Sequence, residues 1–519
     1  MVFELLLLPL FVLGCTEPPS HNLQFSERRK LLGPPVTEPN WEGIRIKTYF
    51  EASSSSSFSS SLSKEYIPNA LNYYNHAIKV VKVSTLTVSS TSCLNYTIPS
   101  ELNKGITDGD VAILFKYNAT GDDLAWAQIC EVDPDLSMRP ILGVIYIQGT
   151  WENKTWEQIY AQVVHQIAHI LVFNAKLLPY FSEKQGEWLG ISNVLGSYYR
   201  RSSEVSYIKT SSVINKAEIA FGCNNLYGMD LASITSDTAS SIHWSKRLMF
   251  NDFMVPDSDV YYVVYSDISL ALFQDSGWYQ ANYDYSDTIV WGYQAGCTFF
   301  TDSCVTDGAP NFSNFCNLTS GTSYCDATHT FKGMCNLGTY TDKIPAEYQY
   351  FSSPYMGGDD KYLDYCPVVM PNSDGSCRDL LSIPVDLNYK AYGEQSGDSS
   401  RCLEGTYVNK LSNFSINYHA GCHKITCQGS IATVHIGQEV IYCTPSGGLQ
   451  TIRGYNGVIK CPPSDILCRN LPCINGCSGR GLCVDGSCNC DSGYSGNSCE
   501  NRSETLMNAL FFLMIFVII

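Results

Sequence analysis

The sequence predicts an α+β protein: helices and strands mixed over residues 41–300, a disulfide-rich β region over 301–468, and a compact cysteine module over 469–500. Three observations carry that expectation. Before residue 300, apolar residues recur at helical and at two-residue spacing. Beyond Cys297 the chain turns rich in cysteine, glycine, serine and tyrosine, with short strand-like runs such as Thr433-Val434-His435-Ile436. Six cysteines then follow within 469–500, a segment too small for an apolar core and dependent on disulfides.

Residues 41–49 alternate Ile44, Ile46 and Thr48 and predict a strand; residues 53–63 read as a solvated serine-rich loop. Residues 66–83 predict an amphipathic helix with Ile67, Leu71, Tyr74, Ile78 and Val81 on its buried face. Residues 111–115 and 141–147 predict strands of a mixed sheet. The next helix spans 155–173, opened by the capping pair Thr155 and Gln158. Trp156, Ile159, Val163, Ile167 and Leu171 form its core stripe and leave another face to His165 and His169.

The whole chain has 519 residues and a formal charge of −17, which argues against nucleic-acid binding. It carries 23 cysteines, far more than a reducing compartment leaves as thiols; setting aside Cys15 leaves an even number. Residues 1–15 read as a signal peptide with an apolar stretch from Leu5 to Leu13, although Glu4 is unusual there and Val12-Leu13-Gly14-Cys15 loosely resembles a bacterial lipobox. Residues 16–40 read as a short pro-segment, with Arg28-Arg29-Lys30 as a processing site, or equally as a disordered linker. Residues 501–519 end in 14 almost wholly apolar positions from Leu506, short of the ~20 a spanning helix needs. That is the form of a GPI-attachment signal, with Ser498, Asn501 and Ser503 as attachment candidates and a short transmembrane tail as the alternative. Glycosylation sequons at Asn95, Asn118, Asn153, Asn311, Asn317, Asn413 and Asn501 suit the same exported route. The expected location is the extracellular face of the plasma membrane, or secretion if the anchor is absent, with extracellular proteins or peptides as partners.

Chemistry concentrates in residues 163–173, Val-Val-His-Gln-Ile-Ala-His-Ile-Leu-Val-Phe. Histidines four apart on a helix project from one face and can share a metal ion. In the H-E-x-x-H motif the residue after the first His is a glutamate, the general base that takes a proton from the attacking water. Gln166 stands there, and a neutral amide cannot take that proton. A compact motif would put a third His at 175, which is Ala175, so the third donor must come from elsewhere.

It comes in Ser241-Ile242-His243-Trp244-Ser245-Lys246-Arg247, followed by Asn251-Asp252-Phe253-Met254-Val255-Pro256. These residues resemble the distant third ligand and Met-turn of the leishmanolysin family of metzincin peptidases. Other segments resemble it in the same order: Leu124-Ala125-Trp126-Ala127 before Cys130, Gly143-Val144-Ile145, Phe221-Gly222-Cys223, Asp275-Ser276-Gly277-Trp278-Tyr279, and Trp291-Gly292 with Ala295-Gly296-Cys297. The resemblance covers roughly residues 41–460. It implies an α+β metzincin-like zinc-protease region of two lobes: 41–175 with the zinc helix, and 176–300 with the third His and the Met-turn. It implies one zinc per chain on His165, His169 and His243, with Met254 as the apolar floor.

Three departures bear on activity. Gln166 replaces the base, and general acid–base catalysis is typically worth ~10²–10⁴-fold. Val172 stands where the family has the glycine that turns the helix end, so the helix is expected to run on toward Asn174 as a left-handed cap and to displace Pro179-Tyr180-Phe181. Residues 16–40 lack the cysteine with which family pro-regions cap the zinc.

The final cysteine spacing resembles an EGF-like module, which implies the pairs Cys473–Cys483, Cys477–Cys488 and Cys490–Cys499. Its expected role is a rigid spacer. His419, Cys422, His423 and Cys427 have metal-like spacing but are expected to be disulfide-held, and Glu183 or Glu187 is a remote substitute base. No glycine-rich phosphate loop and no Ser-His-Asp set stands out. Three readings follow: a zinc-binding pseudoprotease acting in adhesion or peptide binding, an active zinc metalloendopeptidase, or a metal-independent coat or adhesion protein.

Overall fold

The computed structural model describes residues 24–25 and 40–502, except 54, 95, 185–186, 201–202, 233–241, 257–262, 288, 318–322, 379–388, 469–472, 474–476, 479 and 485–486. The fold is α+β with a disulfide-rich C-terminal region and an EGF-like module. Its first half is built on a five-stranded mixed sheet in the order Gln24–Phe25, Leu124–Asp133, Arg139–Gln148, Val111–Asn118, Ile46–Ala52. Three of the four pairings are parallel, and Leu124–Asp133 runs antiparallel to Arg139–Gln148. The central strands are apolar and buried on both faces over residues 111–115 and 140–145, as parallel strands inside a layered fold must be. Ile113, Phe115, Ala127 and Ile145 point into the main core beside the helices, whereas Ala112, Leu114, Leu142 and Val144 face a second cluster pinned by the Cys93–Cys130 disulfide.

Several local expectations are corrected. Residues 41–49 are not one strand. Trp41–Gly43 pairs with Ile78–Val81 in a separate three-stranded sheet, and Ile46–Ala52 joins the main one. The chain crosses over at Arg45, whose backbone N–H and guanidinium both donate to the buried Asp110 carboxylate. The serine-rich segment is not merely a solvated loop. Ser56 and Ser59 cap each other reciprocally and start a helix, Ser57–Ser61, that runs through a π-turn into Ile67–Ala77. The helix expected over 66–83 stops at Ala77, because Ile78–Val81 is rich in β-branched residues and pairs as a strand. Val81, expected in the core, is 40% exposed.

The Trp156–Leu171 helix does start at Thr155 with the reciprocal Thr155/Gln158 cap. It is not amphipathic in place: every residue from Gln158 to Leu171 is buried. One face lies on the sheet at Gly143, where a Cβ would come within 2.6 Å of Ile170. The other faces are covered by later segments of the same core, which runs from Ile44 to Val368 across the change of composition at Cys297.

A second core fills an antiparallel six-stranded sheet spanning residues 400–461. Seven disulfides tie the region from Cys223 to Cys468: Cys223–Cys297, Cys304–Cys366, Cys316–Cys335, Cys325–Cys402, Cys377–Cys422, Cys427–Cys468 and Cys443–Cys461. Cys422 and Cys427 are therefore disulfide-bonded, and the spacing with His419 and His423 is not a metal site. The EGF-like module contains Cys477–Cys488 and Cys490–Cys499; Cys473 is also disulfide-bonded, and the side chain of Cys483 lies outside those described. The module rests beside the helix Ile67–Ala77, with Asp491 Oδ2 3.9 Å from His76 Nε2 and the His76 ring stacked on Tyr285. Among the described residues, no helix is long and apolar enough to cross a membrane. The terminal segments 1–15 and 503–519 lie outside the described residues, as does Asn95.

Candidate metal centre

The site is assembled where the buried helix ends. His165 and His169 are one turn apart on it, and each imidazole is oriented by a backbone carbonyl. His165 Nδ1 lies 2.6 Å from the carbonyl oxygen of Phe253, and His169 Nδ1 lies 2.8 Å from that of Phe173. The helix does not overrun its end. Val172 caps it at φ −153°, ψ −35°, a negative-φ exit that needs no glycine, and both Val172 and Phe173 N–H groups return to Ala168 O. Asn174 is not left-handed. The overrun expected to displace residues 179–181 is therefore absent.

The turn does useful geometric work. Phe173 O accepts from His169 and also from Ile242 N–H at 3.3 Å, so it joins the helix end to the segment carrying His243. His243 O accepts from Ala232 N–H at 2.9 Å, and Trp244 N–H donates to Met254 O at 3.0 Å. These links bring together three histidines from positions 165, 169 and 243. Their Nε2 atoms are 2.9, 3.1 and 3.2 Å apart.

That triangle fits a metal ion on chemical grounds. A carbonyl can only accept, so His165 and His169 carry their hydrogens on Nδ1, and their Nε2 atoms present lone pairs. Two lone pairs facing each other at 2.9 Å repel unless a cation lies between them. A proton is a poor candidate, because burial lowers the pKa of His165 to about 4. Burial likewise holds His169 and His243 well below the usual imidazole value, with mutual repulsion among the histidines adding to it. Tetrahedral zinc with Zn–N bonds of ~2.0–2.1 Å needs nitrogens roughly 3.3 Å apart, close to the separations found. Three neutral imidazoles on one side leave the opposite side open to water or substrate.

Gln166 is completely buried beside His165, and its Nε2 points to Gln162 Oε1 at 3.4 Å, a long hydrogen bond. Glu183 and Glu187 are exposed on the hairpin Ser182–Lys184/Glu187–Trp188, and neither belongs to the histidine cluster. Met254 is fully buried; its N–H donates to Asp252 Oδ1 at 2.7 Å. The carbonyls of Phe173 and Phe253 are orienting groups that the sequence reading missed, and no side-chain pattern could have announced them. Of the sequons, Asn153, Asn311 and Asn413 are exposed, whereas Asn118 and Asn317 are half-buried.

Comparison with known proteins identifies the family. The leishmanolysin profile of peptidase family M8 matches residues 58–476, and a tenascin EGF domain profile matches 472–500. Leishmanolysin of Leishmania donovani is 29% identical over 426 residues, covering 79% of this chain and 70% of that protein. Leishmanolysin of Leishmania major is 27% identical over 427 residues, covering 79% and 68%. A leishmanolysin-like peptidase of Drosophila pseudoobscura pseudoobscura is 24% identical over 470 residues, covering 76% and 68%. With the family profile matched over most of its length, this chain belongs to the leishmanolysin family of metallopeptidases, M8, and ends in an EGF-like module.

Proposed function

We propose that this protein holds one zinc ion through His165, His169 and His243, hydrolyses peptides negligibly, and acts by binding extracellular proteins or peptides in its cleft or in adhesion. The observation that carries this reading is Gln166, a neutral amide enclosed in the helix at the position after the first ligand. Zinc held there would supply Lewis-acid polarisation of a water or a carbonyl oxygen. This chain's own residues would hold the ion, orient its ligands through Phe173 O and Phe253 O, and exclude solvent behind it with Met254. None of them would collect the proton released by an attacking water or deliver it to the leaving nitrogen.

The location proposed is the extracellular face of the plasma membrane, through a GPI lipid replacing the apolar tail, with N-glycans on the exposed sequons Asn153, Asn311 and Asn413. Phosphatidylinositol-specific phospholipase then releases the protein from intact cells; retention with residues 506–519 still present in the mature chain contradicts it.

An active metalloendopeptidase is the second reading, favoured by the well-formed histidine triangle. Zinc content and peptide cleavage together separate the readings. One zinc per chain with no chelator-sensitive cleavage supports the proposal, and chelator-sensitive cleavage supports the second reading. Well under one zinc per chain leaves a metal-independent coat protein.

A further inference from the structure

We infer that Asp252, Ser269 and Trp244 form a buried positioning relay that sets the metal affinity of the histidine cluster without touching a ligand. The inference rests on the zinc reading above. Asp252, Ser269, Trp244, Phe253 and Met254 are all 0% exposed, and Phe253 and Trp244 adjoin His165 and His243 through a carbonyl and through the chain. Trp244 Nε1–H donates to Ser269 Oγ at 2.8 Å, and Ser269 Oγ–H donates to the Asp252 carboxylate, 2.8 and 2.9 Å from its two oxygens. Asp252 Oδ1 also accepts Met254 N–H at 2.7 Å. Ser266 completes its partners.

Both ends of this relay lead to ligands. Met254 O receives Trp244 N–H, so the residue after His243 is held at its backbone by the Met-turn and at its indole by Ser269. Between Asp252 and Met254 stands Phe253, whose carbonyl orients His165. One carboxylate therefore fixes the turn that aims His165 and the segment that delivers His243. A buried carboxylate with hydroxyl and amide donors but no cation among its described partners is costly to keep, and burial pushes its pKa up to about 6. Packing alone gives no reason to retain a carboxyl group there. Holding three nitrogens within a few tenths of an ångström of a shared centre does.

Outer-shell partners of metal-ligating histidines are typically worth 10–100-fold in metal affinity. The test is zinc titration of the full chain in four forms: native, Asp252→Asn, Ser269→Ala and the double variant. Cobalt(II) spectra and apo melting temperatures are recorded in parallel. Native protein that takes up no zinc overturns the zinc reading itself, independently of the relay. With native binding intact, the relay predicts about 10-fold or greater weakening in each single variant and a shifted cobalt d–d band. It predicts a double variant no worse than about twofold beyond the weaker single, because both changes break one chain of bonds. It also predicts that Asp252→Asn, which removes a costly buried charge, leaves the apo melting temperature at neutral pH unchanged or higher. Zinc affinities within about twofold of native with an unaltered cobalt band overturn the relay, as do losses that multiply. If Asp252→Asn does not fold, Ser269→Ala with its cobalt spectrum decides alone.

Discussion

Replacing Gly143 by alanine tests how the metal helix is seated. Gly143 lies in the central strand Arg139–Gln148 and has no positive φ, so the backbone accepts alanine without strain. On conformational grounds the change should stabilise the fold by roughly 0.4–1 kcal/mol, through a less mobile unfolded chain. The packing argues the opposite. A Cβ at 143 would sit 2.6 Å from both Ile170 Cδ1 and Cγ2 and 2.9 Å from Cγ1, about 1 Å closer than carbon atoms approach in contact. Ile170 is β-branched and stiff at χ1 in a helix, so relief is expected from a shift of strand against helix. Overpacking of this kind costs about 1–3 kcal/mol. Ile170 adjoins His169, whose Nε2 has to stay near 3 Å from its two partners, so zinc affinity should fall alongside stability. Chemical denaturation and zinc titration of Gly143→Ala provide the assay, with Gly143→Ala/Ile170→Ala as the control that relieves the clash. The expected result is lower stability and weaker zinc binding in the single variant, with a coupling in the double that offsets part of the cost of losing Ile170. A Gly143→Ala variant as stable as native, with unchanged zinc affinity, would show that Ile170 does not seat the helix on the strand at this point.

Two other outcomes follow from the same structure. Asp287 is buried, with its carboxyl pKa pushed up to about 7 chiefly by loss of solvent, so the folded state keeps a proton that the unfolded chain releases near pH 4. Stability should therefore decline as pH rises from about 4 to about 7, by up to roughly 4 kcal/mol from this group, and Asp287→Asn should gain on the native protein across that window; parallel stability curves contradict this. The EGF-like module packs on the body of the protein through Asp491 near His76 and through residues 481–484 against Tyr283–Tyr285, which makes it more than a spacer. A chain stopped after residue 468 should exchange the amides of Asn282 and Tyr285 faster than the full chain, and unchanged exchange would return the module to the role of spacer.

Part of the site was legible because its chemistry resides in side chains at fixed spacing, His165 and His169 lying one helical turn apart. His243 has no such spacing, and only the resemblance of residues 241–256 to the leishmanolysin family pointed to it. The orienting groups were not legible, since Phe173 and Phe253 act through carbonyls that every residue possesses. The fold was readable where periodicity was long and failed at short transitions. Ile78 and Val81 continue the helical spacing of Ile67, Leu71 and Tyr74, yet their β-branched side chains pair with Trp41–Gly43 as a strand. Ser56 and Ser59 were hidden in low complexity although their separation of three is a capping signal. At Val172 the expectation rested on what glycine permits; the chain found a negative-φ exit that still brings Phe173 O onto His169.

The proposed loss of the base from an otherwise intact metal site is decided by cleavage with Gln166→Glu. Gln and Glu differ by one terminal atom, so the substitution leaves helix packing and the histidine triangle in place while adding a group that can accept and deliver a proton. Native and variant proteins, each brought to one zinc per chain, are assayed on a peptide library with a chelator control. Negligible native turnover is expected, with a chelator-sensitive rate about 10²–10⁴-fold higher in the variant. Native protein that cleaves as fast as Gln166→Glu, with both activities abolished by the chelator, would contradict it.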